Sequence, residues 1–214
     1  MITEDEVLER IYQLAKPYLA ARDGEAHVQI MLDFASRLWE TRKGNREVII
    51  PAVILHDTGR SAIPQEMEDM TWGPNLDLSL LRLHEVEGVK IARSILQEVG
   101  YDSSKVDKIL QIIDGHDTRA NAISINDEIV KDADKLARYT KRAFWFFVEK
   151  FVVSGEDACR ALESFIDKWF LLSESKEMAR EELKQRQKEV ESFSRPKEFN
   201  GRGEVDGGKN QHIE

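Results

Sequence analysis

The sequence predicts an all-α fold, and three observations lead to this prediction. Apolar residues recur with the i, i+3, i+4 spacing of an amphipathic helix in four stretches between residues 28 and 140. Glycines follow two of these stretches, where a helix would be expected to end. No stretch shows the sustained alternation of apolar and polar residues that is typical of a half-buried strand.

The helices of the first two thirds of the chain are predicted in order from their apolar stripes. Gly44 is the predicted end of the first helix, and Gly100 is the predicted end of the second. Between these helices, 48–55 is a continuous apolar stretch that we expect to form a buried element. The stripes are Val28, Met31, Leu32, Ala35, Leu38 and Trp39; Gly88, Ile91, Ala92, Ile95, Leu96 and Val99; Val106, Ile109, Leu110 and Ile113; and Ile129, Ala133, Leu136, Ala137 and Thr140.

The rest of the chain continues the helical pattern as far as Pro196. The stretch 143–148 is apolar on every side, which favours a helix buried on both sides, with a contact between two copies of the chain as the alternative. One or two amphipathic helices are predicted within 156–193. Residues 196–214 are rich in glycine and charge and are predicted to form a flexible tail, in which His212 is expected to be solvated.

The segment 61–76 interrupts the helical pattern directly after His56 and Asp57. It carries two prolines and a glycine among polar residues, which predicts a loop or short helices. Such a segment could close over a site, or it could serve only as a connection. The wider insertion 61–83 is expected to contribute to specificity.

Composition excludes several classes of protein. The chain has 214 residues, of which 41% are hydrophobic, enough for a real core. It contains no run of about 18 apolar residues, so no transmembrane helix and no membrane partner are expected. The net charge of −9 argues against an extended nucleic-acid surface. An acidic N-terminus without a signal-peptide pattern and a single cysteine, Cys159, lead to the expectation of a cytoplasmic protein.

The pair His56-Asp57 is the most informative feature of the sequence. A neutral imidazole and a carboxylate at the end of a buried element present two ligands to one metal ion. Because adjacent helical residues point about 100° apart, both side chains face one ion only where the helix ends or distorts. Gly59 provides such a place.

Three further histidines, His27, His84 and His116, each lie at the edge of an apolar helical face. Taken alone, each favours a core histidine whose ring forms a hydrogen bond with a backbone group. A buried imidazole needs partners for both nitrogens, and a shared metal site provides them for several rings at once. The joint pattern therefore favours a metal centre.

Four segments, taken in order, resemble the HD superfamily of metal-dependent phosphohydrolases. Residues 54–60, Ile-Leu-His-Asp-Thr-Gly-Arg, resemble the "LLHDIGK/R" segment of that family. Residues 84–101 resemble its "H-x3-G … IL … G" helix, and 112–116 resemble the "I-x2-H" helix that follows. Residues 133–136, Ala-Asp-Lys-Leu, resemble its closing "AD-basic-L" segment.

The resemblance covers about residues 20–145 and implies a helical bundle around a central metal site. It places one domain at 1–195, with 20–145 as its motif core and 146–195 as a helical C-terminal extension. His27, His56, Asp57 and Asp134 would be the metal ligands. Asp132 competes with Asp134 for the last place, which helical periodicity does not decide.

The implied activity is the cleavage of a phosphate ester, of a nucleotide or another small phosphorylated metabolite, by a metal-activated water. Whether the enzyme is a phosphomonoesterase or a phosphodiesterase is left open. Asp57, His84 and His116 are the predicted catalytic residues. Arg60 and Lys135, together with the two histidines, are predicted to bind the substrate. The ligand chemistry suits manganese, iron, cobalt, nickel or magnesium.

One ion is expected rather than two, because a second ion usually demands ligands that the sequence does not identify. His84 and His116 would bind that second ion in two-metal members of the family and the substrate phosphate in one-metal members. Glu85 and Arg119 are further neighbours of interest. Two alternatives stay open: a dinuclear iron oxygenase of the same fold, and a non-enzymatic ligand-binding protein that retains the metal. A homodimer is a further prediction.

Overall fold

The computed structural model describes residues 3–20 and 23–194, and within these ranges it contains nine α-helices and no strand. The all-α prediction is confirmed. The predicted tail at 196–214, and His212 with it, lies outside the described residues. The helices are α1 (Glu4–Ala15), α2 (Gly24–Arg42), α3 (Arg46–Leu55), α4 (Leu78–Glu98), α5 (Ser103–Ile113), α6 (Ile125–Ala137), α7 (Lys141–Phe151), α8 (Gly155–Trp169) and α9 (Ser173–Ser194).

Helix α3 lies at the centre of the bundle and contacts α1, α2, α5 and α6. All eight residues from Val48 to Leu55 are buried, as the continuous apolar stretch predicts. Asn45 begins the helix by accepting a hydrogen bond from the backbone N–H of Glu47 through its side chain. None of the described helices is both long and apolar enough to span a membrane.

A proline inside α3 is accommodated by a tyrosine from another part of the chain. Pro51 has no N–H, so the carbonyl of Glu47, four residues earlier, lacks its helical partner. The hydroxyl of Tyr101 donates to that carbonyl at 2.6 Å. Burial raises the pKa of Tyr101 to about 12, which keeps the hydroxyl protonated as a donor. This hydrogen bond joins the centre of the bundle to the segment that follows α4.

Replacing Tyr101 by phenylalanine is expected to lower the free energy of unfolding by about 1–3 kcal/mol, because the Glu47 carbonyl would lose its partner. Urea denaturation of the two proteins measures the difference. Tyr12→Phe is the matched control, since that hydroxyl bonds a half-exposed carboxylate, Glu25, at 3.3 Å. A Tyr101→Phe variant as stable as the control would contradict this role.

The prediction that 143–148 is buried on both sides is wrong. This stretch lies in α7, where Phe144 is the buried residue and Phe146 is 52% exposed. Its apolar character has another cause, since the segment after α3 packs on one of its faces. An interface between two copies through α7 stays a prediction.

The segment between α3 and α4 forms three short 3-10 turns, Thr58–Ala62, Gln65–Thr71 and Gly73–Asn75. The indole of Trp72 stacks on Phe146 with ring centroids 5.6 Å apart and meets Phe151 nearly edge-on at 4.7 Å. Gly73 has φ 70°, and a Cβ there would lie 2.5 Å from the Phe151 ring, so glycine is required at this position. The segment is thereby fixed to α7. Its role as a lid stays a prediction.

Candidate metal centre

The end of α3 presents His56 and Asp57 to the interior. The helix ends at Leu55, and Asp57 adopts φ −97° and ψ 5°, outside the helical range. The Nδ1 of His56 lies 2.8 Å from the Val53 carbonyl, which orients the ring and turns its Nε2 toward Asp57. The predicted end of the helix is thus present, but it lies at Leu55, ahead of the pair, and not at Gly59.

Gly59 matters here because it has no side chain. A Cβ at Gly59 would lie 1.9 Å from the His84 carbonyl and 2.3 Å from the backbone N of Gly88. The turn Thr58–Ala62 therefore lies directly against the backbone of α4. Gly88 approaches from the other side, where a Cβ would be 3.3 Å from the His56 carbonyl. This close approach brings His84 beside the end of α3.

His27 and Asp134 lie together although they are far apart in the sequence. They come from α2 and α6, two helices that pack along each other. The Nε2 of His27 is 3.1 Å from Oδ1 of Asp134, and the rings of His27 and His56 are 5.4 Å apart between centroids. The four predicted ligands from α2, α3 and α6 therefore form one cluster.

His84 and His116 extend this cluster on its other side. Their Nε2 atoms are 3.1 Å apart, and they lie 3.5 and 3.6 Å from Oδ1 of Asp57. The Nδ1 of His116 is held 2.9 Å from the Ile113 carbonyl, in the same way as the ring of His56. Asp57 thus lies between the two groups of histidines.

Comparison with known proteins agrees with this geometry. The model of the HD domain family matches residues 25–139, more than half of the chain. This chain belongs to the HD domain family. Among solved structures it is similar to a predicted HD superfamily hydrolase from an uncultured Thermotogales bacterium. The two share 21% identity with a TM-score of 0.60, and the match covers 86% of this chain and 90% of the other. No curated protein matches the chain.

The residues of this HD domain fit a divalent metal ion. Three buried atoms of the predicted ligands, His27 Nε2, His56 Nε2 and Asp57 Oδ1, have no hydrogen-bond partner within the described part of the chain. Two ligand atoms about 2.1 Å from one ion and about 90° apart lie about 3.0 Å from each other. Four pairs of donor atoms in the cluster, including pairs with His84 and His116, are separated by 3.1 to 3.6 Å, and the ligand atoms of each candidate group of three residues lie within 4.8 Å of one another.

The HD domain contains three overlapping groups whose ligand atoms lie within 4.8 Å of one another, counting the described residues only. The first group is on the α2 side, and the third is on the α4 side. They consist of His27, His56 and Asp134; of His56, Asp57 and His116; and of His84, His116 and Asp117.

Asp117 and Arg138 belong to the site, and the sequence analysis assigned a role to neither. Oδ2 of Asp117 lies 3.7 Å from the Nε2 of His84 and 3.8 Å from that of His116. Arg138 lies 3.5 Å from Asp117 and 3.2 Å from Asp134. Two signals were available, since His116-Asp117 is a second His-Asp pair and Arg138 lies one helical turn after Asp134.

The carboxylates of the HD domain are held ionised by their cationic neighbours. Burial by itself would raise the pKa of Asp57, but Arg60, with Nε 2.7 Å from the carboxylate, and His56 hold that pKa well below its usual range. Burial is likewise outweighed at Asp134, where Arg138 and His27 keep the pKa low. These carboxylates are therefore available as ligands at neutral pH.

The pKa values of His84 and His116 shift in opposite directions in the metal-free protein. Burial and the charge of His116 lower the pKa of His84 to about 4. Burial also opposes a charge on His116, but the carboxylates of Asp57 and Asp117, at 3.6 and 3.8 Å, raise its pKa to about 9. One ring is thus a proton acceptor and the other a donor near neutral pH.

Asp132 and Lys135, both on α6, lie apart from the cluster. Asp132 and Asp134 point about 200° apart on the helix, so only one of them can face the site. The carboxylate of Asp132 accepts hydrogen bonds from the backbone N–H groups of Leu171 and Leu172, ahead of α9. The Nζ of Lys135 donates to the carbonyl of Trp169 at 3.2 Å. Asp134, and not Asp132, lies among the other predicted ligands.

Glu85 and Arg119 both bind the segment around His116. Glu85 is fully buried and accepts hydrogen bonds from the backbone N–H groups of Asp117 and Thr118. Arg119 donates to the carbonyl of Asp114 and pairs with Asp127 at 2.8 Å. Both residues contact protein groups next to the site and neither contacts the carboxylates of the cluster.

Proposed function

We propose that this HD domain is a metal-dependent phosphohydrolase that cleaves a phosphate ester of a nucleotide or another small phosphorylated metabolite. The observation that carries the proposal is one cluster of imidazole and carboxylate ligands with two arginines at its edge. Nitrogen and oxygen ligands suit manganese, iron, cobalt, nickel or magnesium. The similarity to a predicted HD superfamily hydrolase from a Thermotogales bacterium supports hydrolysis as the reaction class.

His27, His56, Asp57 and Asp134 would hold the ion. A divalent ion bound there would supply an activated water near neutral pH and would polarise the phosphoryl group. The Val53 carbonyl fixes the tautomer of His56 so that Nε2 carries its lone pair toward the site.

Arg60 and Arg138 are the proposed phosphate-binding residues. Arg60 lies 3.6 Å from Oδ2 of Asp117 and Arg138 lies 3.5 Å from Oδ1, so the two guanidinium groups meet at the same carboxylate. Arg60 is held by Thr71 at 3.0 Å, so its position depends on the segment before α4. A guanidinium group offers paired donors that match phosphate oxygens. The two arginines would bind and orient the phosphate between them.

Arg138→Ala is expected to lower kcat/KM about 10- to 100-fold, as the loss of a charged hydrogen bond of about 1.5–3 kcal/mol implies. Lys135→Ala, one helical turn away on α6, is expected to change it by about twofold at most, because Lys135 bonds the Trp169 carbonyl. Steady-state phosphate release measures both. An equal loss in Lys135→Ala would instead support the sequence-based prediction that Lys135 binds phosphate.

His84 and His116 would contact the reacting phosphate and move a proton. His84→Ala is expected to lower the rate by about 10²–10⁴-fold if the pair serves as general acid, with the ion still bound. Metal analysis of the purified variant by mass spectrometry accompanies the kinetics. Loss of an ion together with activity would show that His84 is a ligand and would contradict the one-ion assignment.

The number of ions is a proposal in its own right. The sequence favours one ion because no further ligands were identified, and Asp117 is a candidate for such a ligand. Iron content with oxygen consumption in the presence of substrate would favour the dinuclear oxygenase alternative. A bound metal without any turnover would favour the non-enzymatic one.

The deciding experiment is a screen for released phosphate over nucleotides and small phosphate esters, with manganese, cobalt, nickel or magnesium added to the metal-free chain. Metal-dependent release that disappears in Asp134→Asn and persists in Asp132→Asn is the expected result. These two variants make the same chemical change on the same helix, once inside the cluster and once outside it. Equal release from both variants, or none from the parent with any metal, would refute the proposal.

A further inference from the structure

The loop from Gly115 to Arg119 carries His116 and Asp117 and is held between two buried charges of opposite sign. Glu85 of α4 lies on one side, with no solvent exposure, and Lys131 of α6 lies on the other, with 2% exposure. We propose that these two are positioning residues that fix the place of His116 and Asp117 in the site. The consequence for turnover rests on the proposed function.

Lys131 binds the carbonyl groups of the loop. Its Nζ donates to the carbonyls of Gly115 at 2.6 Å, His116 at 2.9 Å and Arg119 at 2.8 Å. An ammonium group has three donors, so all of them are used on one short segment. A buried charge without such partners would be costly, which makes displacement of these carbonyls unfavourable.

Glu85 binds the amide groups of the same loop. Its Oε1 accepts from the backbone N–H of Asp117 at 2.9 Å and of Thr118 at 2.8 Å. Its Oε2 accepts from the Thr118 hydroxyl at 2.6 Å and from Arg82 at 3.0 Å. The Glu85 carboxylate thus binds backbone N–H groups of the loop, whereas the Lys131 ammonium binds backbone carbonyl groups of the same loop.

Together the two charges fix the orientation of the loop as well as its position. If the loop rotated, amides would turn toward Lys131 and carbonyls toward Glu85, so Lys131 would lose its three acceptors and Glu85 would lose its backbone donors. Each charge also belongs to a helix that carries a site residue. Glu85 follows His84 directly, and Lys131 precedes Asp134 by one helical turn. The loop is therefore placed relative to both groups of candidate ligands.

The variants that test this are Lys131→Met and Glu85→Gln in the full chain, with Asp132→Asn as the matched control. Asp132 is the next residue on α6, is also buried, and also binds backbone groups, but those lie ahead of α9. Both sites thus combine a buried charge with backbone hydrogen bonds. Of the three substituted residues, only Lys131 and Glu85 contact the loop that contains His116 and Asp117.

Two measurements separate positioning from general stabilisation. Histidine-ring NMR signals of the metal-free chain, recorded below the unfolding temperature of each variant, are expected to shift for His116 but not for His27 in Lys131→Met. In the metal-loaded chain, kcat is expected to fall about tenfold or more with KM changed little. The variant disturbs the orientation of His116 and Asp117 but removes no charge that binds the phosphate. Asp132→Asn is expected to lower thermal stability while leaving both readouts as in the parent.

The milder variant Thr118→Val, which removes one hydrogen bond to Glu85, keeps the test open if Lys131→Met does not fold. It is expected to shift the His116 signals in the same direction by a smaller amount. Unchanged His116 signals in every folded loop variant would overturn the proposal, whatever the activity. Shifted His116 signals in a chain that releases no phosphate would uphold the positioning role and refute the proposed function.

Discussion

Replacing Asp57 by alanine is expected to abolish turnover, with a loss of about a thousandfold or more, and to remove the bound metal. Asp57 lies between the two groups of histidines, at 3.5 Å from His56 and from His84 and 3.6 Å from His116. A catalytic ion contributes several kcal/mol of transition-state stabilisation, and each 1.4 kcal/mol corresponds to about a factor of ten. Metal content by mass spectrometry and phosphate release measure the two effects separately.

The loss of Asp57 also leaves Arg60 without its nearest carboxylate, which lies 2.7 Å away. A buried charge deprived of its partner is destabilising, so the metal-free Asp57→Ala protein is expected to unfold at a lower temperature. His56→Ala separates the two consequences, because it removes a ligand and leaves the ion pair in place. It is expected to lose metal and activity with helicity intact. Turnover retained in either variant would contradict the metal role.

The convergence of the predicted ligands could be anticipated for His27, His56 and Asp57, because the information that places these three residues is local. His56 and Asp57 follow a helix that must be buried along its whole length, so its end lies inside the bundle. His27 lies on α2, the helix that carries the first apolar stripe. Asp134 was separable from Asp132 only by resemblance, because their difference depends on the N-terminus of α9, about 40 residues later, which binds Asp132.

Asp117 was not assigned a role because its direction depends on a loop. No periodicity links His116 to Asp117, and the loop conformation is set by Glu85 and Lys131, residues from two other helices. Arg138 is a different case, since an arginine that pairs with the carboxylates of the site cannot be told from any other surface arginine by composition. The positions of both residues at the site depend on tertiary contacts, which a local sequence pattern does not show.

Helices α1 and α7 show two further limits of prediction from the sequence. Thr3 and Glu6 form a capping box at the start of α1, a signal that the sequence contains but that did not lead to a predicted helix. In α7, the apolar residues were assigned to the interior of the bundle. They instead pack against Trp72 and Gly73. The two segments are about 75 residues apart in the sequence, so no local pattern reveals this contact.

Gly59→Ala is expected to lower the free energy of unfolding by about 3 kcal/mol or more, at or above the usual cost of overpacking. The new methyl group would lie 1.9 Å from the His84 carbonyl and 2.3 Å from the Gly88 nitrogen, and both are backbone atoms that cannot rotate away. For a protein of this size the melting temperature is expected to fall by about 6–12 °C. Differential scanning calorimetry of the metal-free protein measures it.

The same substitution is expected to weaken metal binding, because the turn that carries Asp57 and Arg60 would move away from His84. Gly88→Ala is the matched control, since its methyl group would meet the His56 carbonyl at 3.3 Å and the Ile113 side chain at 3.4 Å. Those contacts need shifts of only a few tenths of an ångström. Gly88→Ala is therefore expected to cost less stability and to retain the ion. If Gly59→Ala melts with the parent and binds metal as tightly, then the contact between this turn and α4 does not hold the two halves of the site together.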